Sequence, residues 1–209
     1  MTVIETEDPV ARGIPYRAVA LGIPVLVVII HMSIMAATLP SMLFITMVGL
    51  MVAYLLPPAG KETVIPIGIA LGIPWWYMAL SIVMIDVETC LFMALNFDLA
   101  YRIPFLGSLL ADLTTKTRQF ITTHRWFAGI GFFAILLMVM VPVFGSGGIR
   151  GSIAGKLLGM NTRLVFFAIL VGALVGSFGI ALGSDAILTH LCSNGMLPVE
   201  IGTRVCGVK

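Results

Sequence analysis

The sequence predicts an all-α integral membrane protein: two inverted repeats, each a re-entrant helical hairpin plus a transmembrane helix, with an extra N-terminal transmembrane helix. Three observations predict it. Of 209 residues, 59% are hydrophobic and only 11% are charged, where a soluble domain carries roughly 25% charged residues. Long apolar runs alternate with runs too short to cross a bilayer. The short runs come in pairs, and each pair flanks a tip rich in Pro and Gly.

The chain reads as a single membrane domain over 1–209. Residues 1–8 carry Glu5, Glu7 and Asp8 where a secretory signal would be basic, so the start is not expected to be a signal peptide. The first transmembrane helix is expected over 18–39, with His31 its only ionisable residue. The first hairpin is expected over 42–73. Its first arm, Met42 to Leu56, would reach only about 22 Å at ~1.5 Å per residue, against a hydrocarbon core of ~30 Å. It stops at Pro57-Pro58-Ala59-Gly60-Lys61-Glu62, and a second short arm ends near Ile73. Irregular backbone survives at membrane depth only when buried in protein or lining a wet cavity.

A full span follows over 75–97, opening on Trp75, Trp76 and Tyr77, residue types that suit the bilayer interface. Residues 98–125 mix apolar and basic side chains and read as an amphipathic cytoplasmic connector. The second hairpin is expected over 127–160, around the tip Pro142-Val143-Phe144-Gly145-Ser146-Gly147-Gly148-Ile149-Arg150-Gly151. A last span over 164–183 carries Gly172, Gly176, Gly179 and Gly183, a small-residue stripe for close helix approach. A tail fills 184–209. Gly60, Gly68 and Gly72 are spaced like Gly147, Gly155 and Gly159, an offset of 87 that Leu71 and Leu158 share.

If each hairpin returns to the side it entered from, Arg12, Arg17, Arg102, Lys116, Arg118, Arg125 and Arg163 share one side, which the positive-inside rule makes cytoplasmic. The protein is then expected in a prokaryotic plasma membrane, multi-pass, with its N-terminus in the cytoplasm. A net charge of +2, scattered along the chain, gives no reason to expect a nucleic-acid partner. Of the three cysteines, Cys90 lies in an apolar run, while Cys192 and Cys206 could pair if the tail faces an oxidising side.

Ionisable groups within membrane segments are costly, so each is a site candidate. Arg150, beside Gly147 and Gly148, combines a guanidinium with exposed N–H groups at a helix start, which suits an anion. Lys61 and Glu62 occupy the first tip and could pair with each other or face the second tip. Together Arg150, Gly147, Gly148, Glu62 and Lys61 form the candidate substrate site. Glu62 and Asp86 are the candidates for proton coupling. A structural alternative pairs Arg150 with Asp86 or Glu88. Asp86 and Glu88 stand about 200° apart on a helix, so only one can easily face a common cavity, and Asp86 is the better choice. His31 reads as a helix–helix hydrogen-bond partner in preference to a relay, and Lys156 as a snorkelling side chain. No hydrolytic motif, zinc-ligand spacing or haem-type histidine pair occurs, so neither an enzyme, a metal nor a cofactor is expected.

Two stretches resemble a known family. They are Ile65-Pro66-Ile67-Gly68-Ile69-Ala70-Leu71-Gly72-Ile73-Pro74, and Val141 to Gly151 with Leu157-Leu158-Gly159. The chain from about Leu56 to Gly183 resembles the small multidrug export protein family, related to the DedA/SNARE-associated Golgi protein superfamily. The resemblance implies two re-entrant hairpins and transport, and in the superfamily the movement of lipids, including polyprenyl phosphates, between leaflets. Three departures stand out. The family usually has Glu-Leu-Arg-Gly before its first Ile-Pro, and this chain has Gly60-Lys61-Glu62-Thr63. Position 86 tends to be Asn and is Asp here. A small polar residue is usual where Arg150 stands.

The expected function is that of a membrane transporter or lipid flippase for an anionic or amphipathic small molecule such as a lipid phosphate, with proton coupling. The expected partners are that substrate, a membrane lipid and, as an open option, a second copy in a homodimer. Rival readings are a membrane anchor or subunit holding a larger complex through the 98–125 connector, and a passive channel.

Overall fold

A computed structural model describes residues 14–56, 59–101, 127–140, 147–195 and Cys206. Among these the chain is wholly helical: α1 (Ile14–Thr38), α2 (Ser41–Leu55), α3 (Lys61–Ala70), α4 (Trp75–Tyr101), α5 (Phe127–Met140), α6 (Gly147–Leu157) and α7 (Thr162–Ser193). Stretches of α1, α4 and α7 are long and apolar enough to cross a membrane, namely Ala18–Thr38, Trp75–Asn96 and Thr162–Ser193. The chain is a membrane protein. The apolar helices Ser41–Leu55 and Gly131–Met140 are shorter.

Local chemistry sets the breaks. Pro40 lies between α1 and α2 with φ −56° and ψ 147°, an extended conformation, and its carbonyl accepts the N–H of Phe44 to start α2. The turns after α3 and α6 need a left-handed residue, and each has a glycine there: Gly72 at φ 93° and Gly159 at φ 63°. The same three hydrogen bonds close both turns. Leu71, Gly72 and Ile73 donate to Ile67, Ile69 and Gly68, while Leu158, Gly159 and Met160 donate to Ala154, Lys156 and Gly155. Each bond in the second set lies 87 residues after its counterpart, and α4 and α7 begin at Trp75 and Thr162, the same distance apart.

α4 and α7 make the most extensive helix–helix contact and form the axis of the protein. α5 packs on α7, α6 on α4, α5 and α7, and α3 on α4 and α7. One buried cluster gathers Met47, Tyr54, Ile65, Met78 and Ile82 around α2, α3 and α4. A second gathers Val83, Ile135, Val139, Ile169 and Ala173 around α4, α5 and α7. α1 lies outside this body against α4, where the Asn96 amide donates to the Ala20 carbonyl at 2.8 Å beside a non-helical step at Asn96 itself.

The glycine stripe of α7 is used along half its length. A Cβ on Gly172 would sit 2.7 Å from the Leu136 carbonyl, and one on Gly176 2.6 Å from that of Met140, so these two glycines let α5 close on α7. Gly179 and Gly183 face open space. α7 runs ten residues past the expected end of its span, because Ala186, Ile187, Leu188 and Leu191 continue its apolar character. Cys192 and Cys206 form a disulfide, with Cα atoms 5.7 Å apart. The expected connector coincides with α4 as far as Tyr101, and its remainder lies outside the described residues. So do Pro57, Pro58 and residues 141–146 of the two tips.

Candidate functional site: a buried carboxylate at the start of a helix

Asp86 stands eleven residues after Trp75 on α4, roughly 16 Å along a span that needs about 30 Å to cross. Its exposure is zero. Four elements converge on it. α2 contributes Tyr54 near its C-terminus, whose hydroxyl donates to Asp86 Oδ1 at 2.8 Å. α3 contributes its first residue, Lys61, whose Nζ lies 2.7 Å from Asp86 Oδ2. α6 contributes its first turn: the Gly148 N–H donates to Asp86 Oδ1 at 2.9 Å, and the Gly147 N–H donates to the Tyr54 hydroxyl at 3.1 Å. α5 contributes the Val139 carbonyl, which accepts from Lys61 Nζ at 3.2 Å. The Lys61–Asp86 contact is an ion pair without hydrogen-bond alignment at Oδ2, whereas Oδ1 takes two aligned donors.

The electrostatics follow from the helix starts. The first N–H groups of a helix lack intrahelical partners and carry the positive end of its dipole. α6 begins at Asp86, so one dipole end and the Lys61 ammonium face one carboxylate, while the start of α3 is covered by the Glu62 carboxylate. Glycine is required at 148, where a Cβ would collide with the Thr89 side chain and the Asp86 carbonyl. Thr89 itself donates to the Ile85 and Asp86 carbonyls at 2.8 and 3.1 Å.

Of the residues singled out in the sequence, Lys61, Asp86, Gly147 and Gly148 are brought together. Glu62 is not. Its carboxylate folds back over Gly60, and its Oε2 is buried with no hydrogen bond among the described residues. Lys61 therefore turns to Asp86 on α4 and the Val139 carbonyl on α5, and not to its sequence neighbour. Arg150 lies two residues further into α6 and is half buried. The described ion pair of Asp86 is with Lys61, and that of Glu88 is with His31 on α1, Nδ1 to Oε1 at 2.7 Å. Asp86 and Glu88 thus serve different faces of α4, as their 200° separation requires. Sequence reasoning missed Tyr54. The available signal was a lone phenol at the end of an otherwise apolar arm, three residues before Pro57.

Beside the junction lies a groove of about 590 Å³ between α1, α2 and α4, with Val28, Met51, Ile85, Glu88, Thr89 and Ile149 among its walls. Ile149 directly follows Gly148, so the groove reaches the start of α6. Glu88 is its only ionisable lining residue among those described.

A body of apolar helices with ionisable groups held at the middle of its spans defines a polytopic membrane protein with an internal polar site. The family model described as "Putative small multi-drug export protein" matches residues 61–178. The chain belongs to that family, whose name suggests an export role. The match takes in Lys61, Asp86, Gly147 and Gly148, and it leaves α1 and Tyr54 outside. Neither a curated protein nor a solved structure matches the chain.

Proposed function

We propose that the protein is a proton-coupled membrane transporter for an amphipathic anion, a class that includes lipid phosphates. The observation that carries this reading is the fully buried Asp86 carboxylate at the meeting point of Lys61 and the start of α6. Removing two charges from water costs several kcal/mol per ion, and apolar residues could join the same helices at less cost. Ionisable groups retained at membrane depth mark ion and substrate pathways.

The chemistry is an exchange of anions at one site. Asp86, when ionised, fills the place that the start of α6 and Lys61 prepare for negative charge. Protonation of Asp86 removes that charge and frees Lys61 Nζ and the Gly148 N–H to receive the anionic head of a substrate. Gly147 and Arg150 belong to the same first turns of α6 and complete the anion-binding set. Glu62 Oε2, buried without a donor, offers a second protonatable oxygen at the first tip. The apolar part of the substrate lies in the adjoining groove, which reaches Ile149.

The same reading makes α2–α3 and α5–α6 re-entrant hairpins of two inverted repeats, each followed by its spanning helix, in a plan related to the DedA superfamily. The repeated capping bonds 87 residues apart support it, as does the broken-helix layout that many transporters share. It also puts the N-terminus in the cytoplasm of a prokaryotic cell. Arg163 opens α7, and Cys192 lies about 43 Å along that helix at ~1.5 Å per residue. The disulfide then falls on the side opposite the basic residues, where an oxidising compartment belongs.

The test is transport by the purified chain in liposomes, with a fluorescent alkyl phosphate as probe and an imposed pH gradient. Gradient-driven movement is expected, and Asp86→Asn should lower it at least tenfold while the protein still elutes as a folded species. Full activity in Asp86→Asn, or no gradient-dependent movement in the parent chain, overturns the reading.

A further inference from the structure

A second pair of ionisable groups lies within the spans, and the mechanism above does not use it. His31 on α1 and Glu88 on α4 are each 7% exposed, and Nδ1 meets Oε1 at 2.7 Å. The two helices run antiparallel here. Thr38 meets Tyr77 hydroxyl to hydroxyl at 2.8 Å at one end, and Asn96 reaches Ala20 at the other. Between those contacts lie two cavities. One, of about 430 Å³, is lined on α4 by Tyr77, Leu80, Ser81 and Met84 and on α1 by His31 among the apolar Val27, Ile30 and Ile34. The other is the 590 Å³ groove, lined on α4 by Ile85, Glu88, Thr89 and Phe92. No described residue lines both. The first cavity occupies the Tyr77 half of the α4 span and the second the Phe92 half. The His31–Glu88 hydrogen bond is the polar link between them.

We infer that His31 and Glu88 form a proton relay joining the two cavities. His31 Nε2 has no hydrogen-bond partner among the described residues, since the bond to Glu88 uses Nδ1. A proton arriving from the Tyr77-side cavity adds at Nε2. The Nδ1 proton crosses to Glu88 Oε1, and Glu88 releases it to the groove. One proton enters and one leaves, the imidazole returns as its other tautomer, and a ring flip resets it. An imidazole suits the task because it binds protons near neutral pH and holds them at two nitrogens.

Among the described residues, the titratable and charged groups on the packed elements include Lys61 and Glu62 on α3 and Arg163, Asp185 and His190 on α7, none of which lines either cavity. α1 gives His31. α4 gives Tyr77 on the first cavity, Glu88, and Asp86 on the opposite face. α2 gives Tyr54, bonded to Asp86. α6 gives Arg150, half buried, and Lys156, which faces a small cavity beside Cys90. The relay would deliver protons to the groove beside the Asp86 junction, so as a step in transport it rests on the proposed function.

The test has two independent readouts on the full chain. In lipid nanodiscs, ¹⁵N-histidine NMR should show His31, assigned by its loss in His31→Gln, with Nδ1 bonded as its contact with Glu88 requires and its ring protons exchanging with bulk water, and that exchange should be slowed at least tenfold in Glu88→Gln. In liposomes, His31→Gln and Glu88→Gln should each lower proton movement coupled to the alkyl phosphate probe at least tenfold. His31→Gln can keep a hydrogen bond to Glu88 but cannot carry a proton, so a merely structural bridge would leave it active. A His31 ring that exchanges no proton with bulk water, an exchange rate indifferent to Glu88→Gln, or full coupling in His31→Gln overturns the relay. A parent chain that moves no probe overturns the transport reading instead, and the exchange measurement then decides the relay alone.

Discussion

The two hairpins solve one architectural problem with different chemistry. α3 and α6 end identically, with a left-handed glycine and the same three capping bonds, and a group from the first turn of each reaches Asp86. Yet α3 brings a charged side chain there, Lys61, while α6, at the position 87 residues later, brings the bare N–H of Gly148. The spanning helices differ in step. α4 carries Asp86, and its counterpart on α7 is Ala173, fully buried in apolar contact. The repeat therefore supplies the frame, and the ionic site belongs to one half and is completed by the other. A symmetric protein would place two carboxylates and two ammonium groups together, at the cost of like-charge repulsion in a poorly solvated interior.

The largest effect expected from breaking this asymmetry is at Lys61. Lys61→Met leaves Asp86 buried opposite an apolar side chain, and unfolding in detergent should show a loss of about 3–5 kcal/mol. Lys61→Met combined with Asp86→Leu should recover most of that stability while transport stays absent. Gly148→Ala comes next. Its Cβ has no room against Thr89 and the Asp86 carbonyl, so overpacking should cost about 1–3 kcal/mol, whereas alanine at Gly179, which faces open space, should be tolerated within about 0.5 kcal/mol. Tyr54→Phe removes one donor from Asp86 and the acceptor of the Gly147 N–H, which should cost about 1–2 kcal/mol. The smallest effect is expected at Glu62→Gln. Its carboxylate makes no described hydrogen bond, so stability should move by less than about 0.5 kcal/mol, and any change should appear in the pH dependence of transport.

Much of this was legible in the sequence, for physical reasons. The short apolar arms and the offset of 87 follow from backbone requirements that composition records directly, while Pro57, Pro58 and residues 141–146 of the tips lie outside the described residues. Asp86 and Lys61 stood out because charge is rare in apolar runs. What pairs with what was not legible. Lys61 and Glu62 are adjacent in sequence, but about 100° separates neighbours on a helix, so Lys61 turns to α4 and Glu62 turns back over Gly60. The described carboxylate pairs are Lys61–Asp86 and His31–Glu88, and partners between helices depend on packing, which no local pattern encodes. Tyr54 was hidden because a tyrosine in an apolar run looks like core until its hydroxyl finds a carboxylate.

The account depends on α3 beginning deep in the membrane. Thr63, exposed in the first turn of α3, can be replaced by cysteine, spin-labelled, and its depth read from the ratio of collisions with oxygen to collisions with a water-soluble nickel chelate in lipid bilayers. The account predicts collision dominated by oxygen, as for a label near the bilayer centre. Dominance by the nickel chelate, as for a label among headgroups or in water, would contradict it.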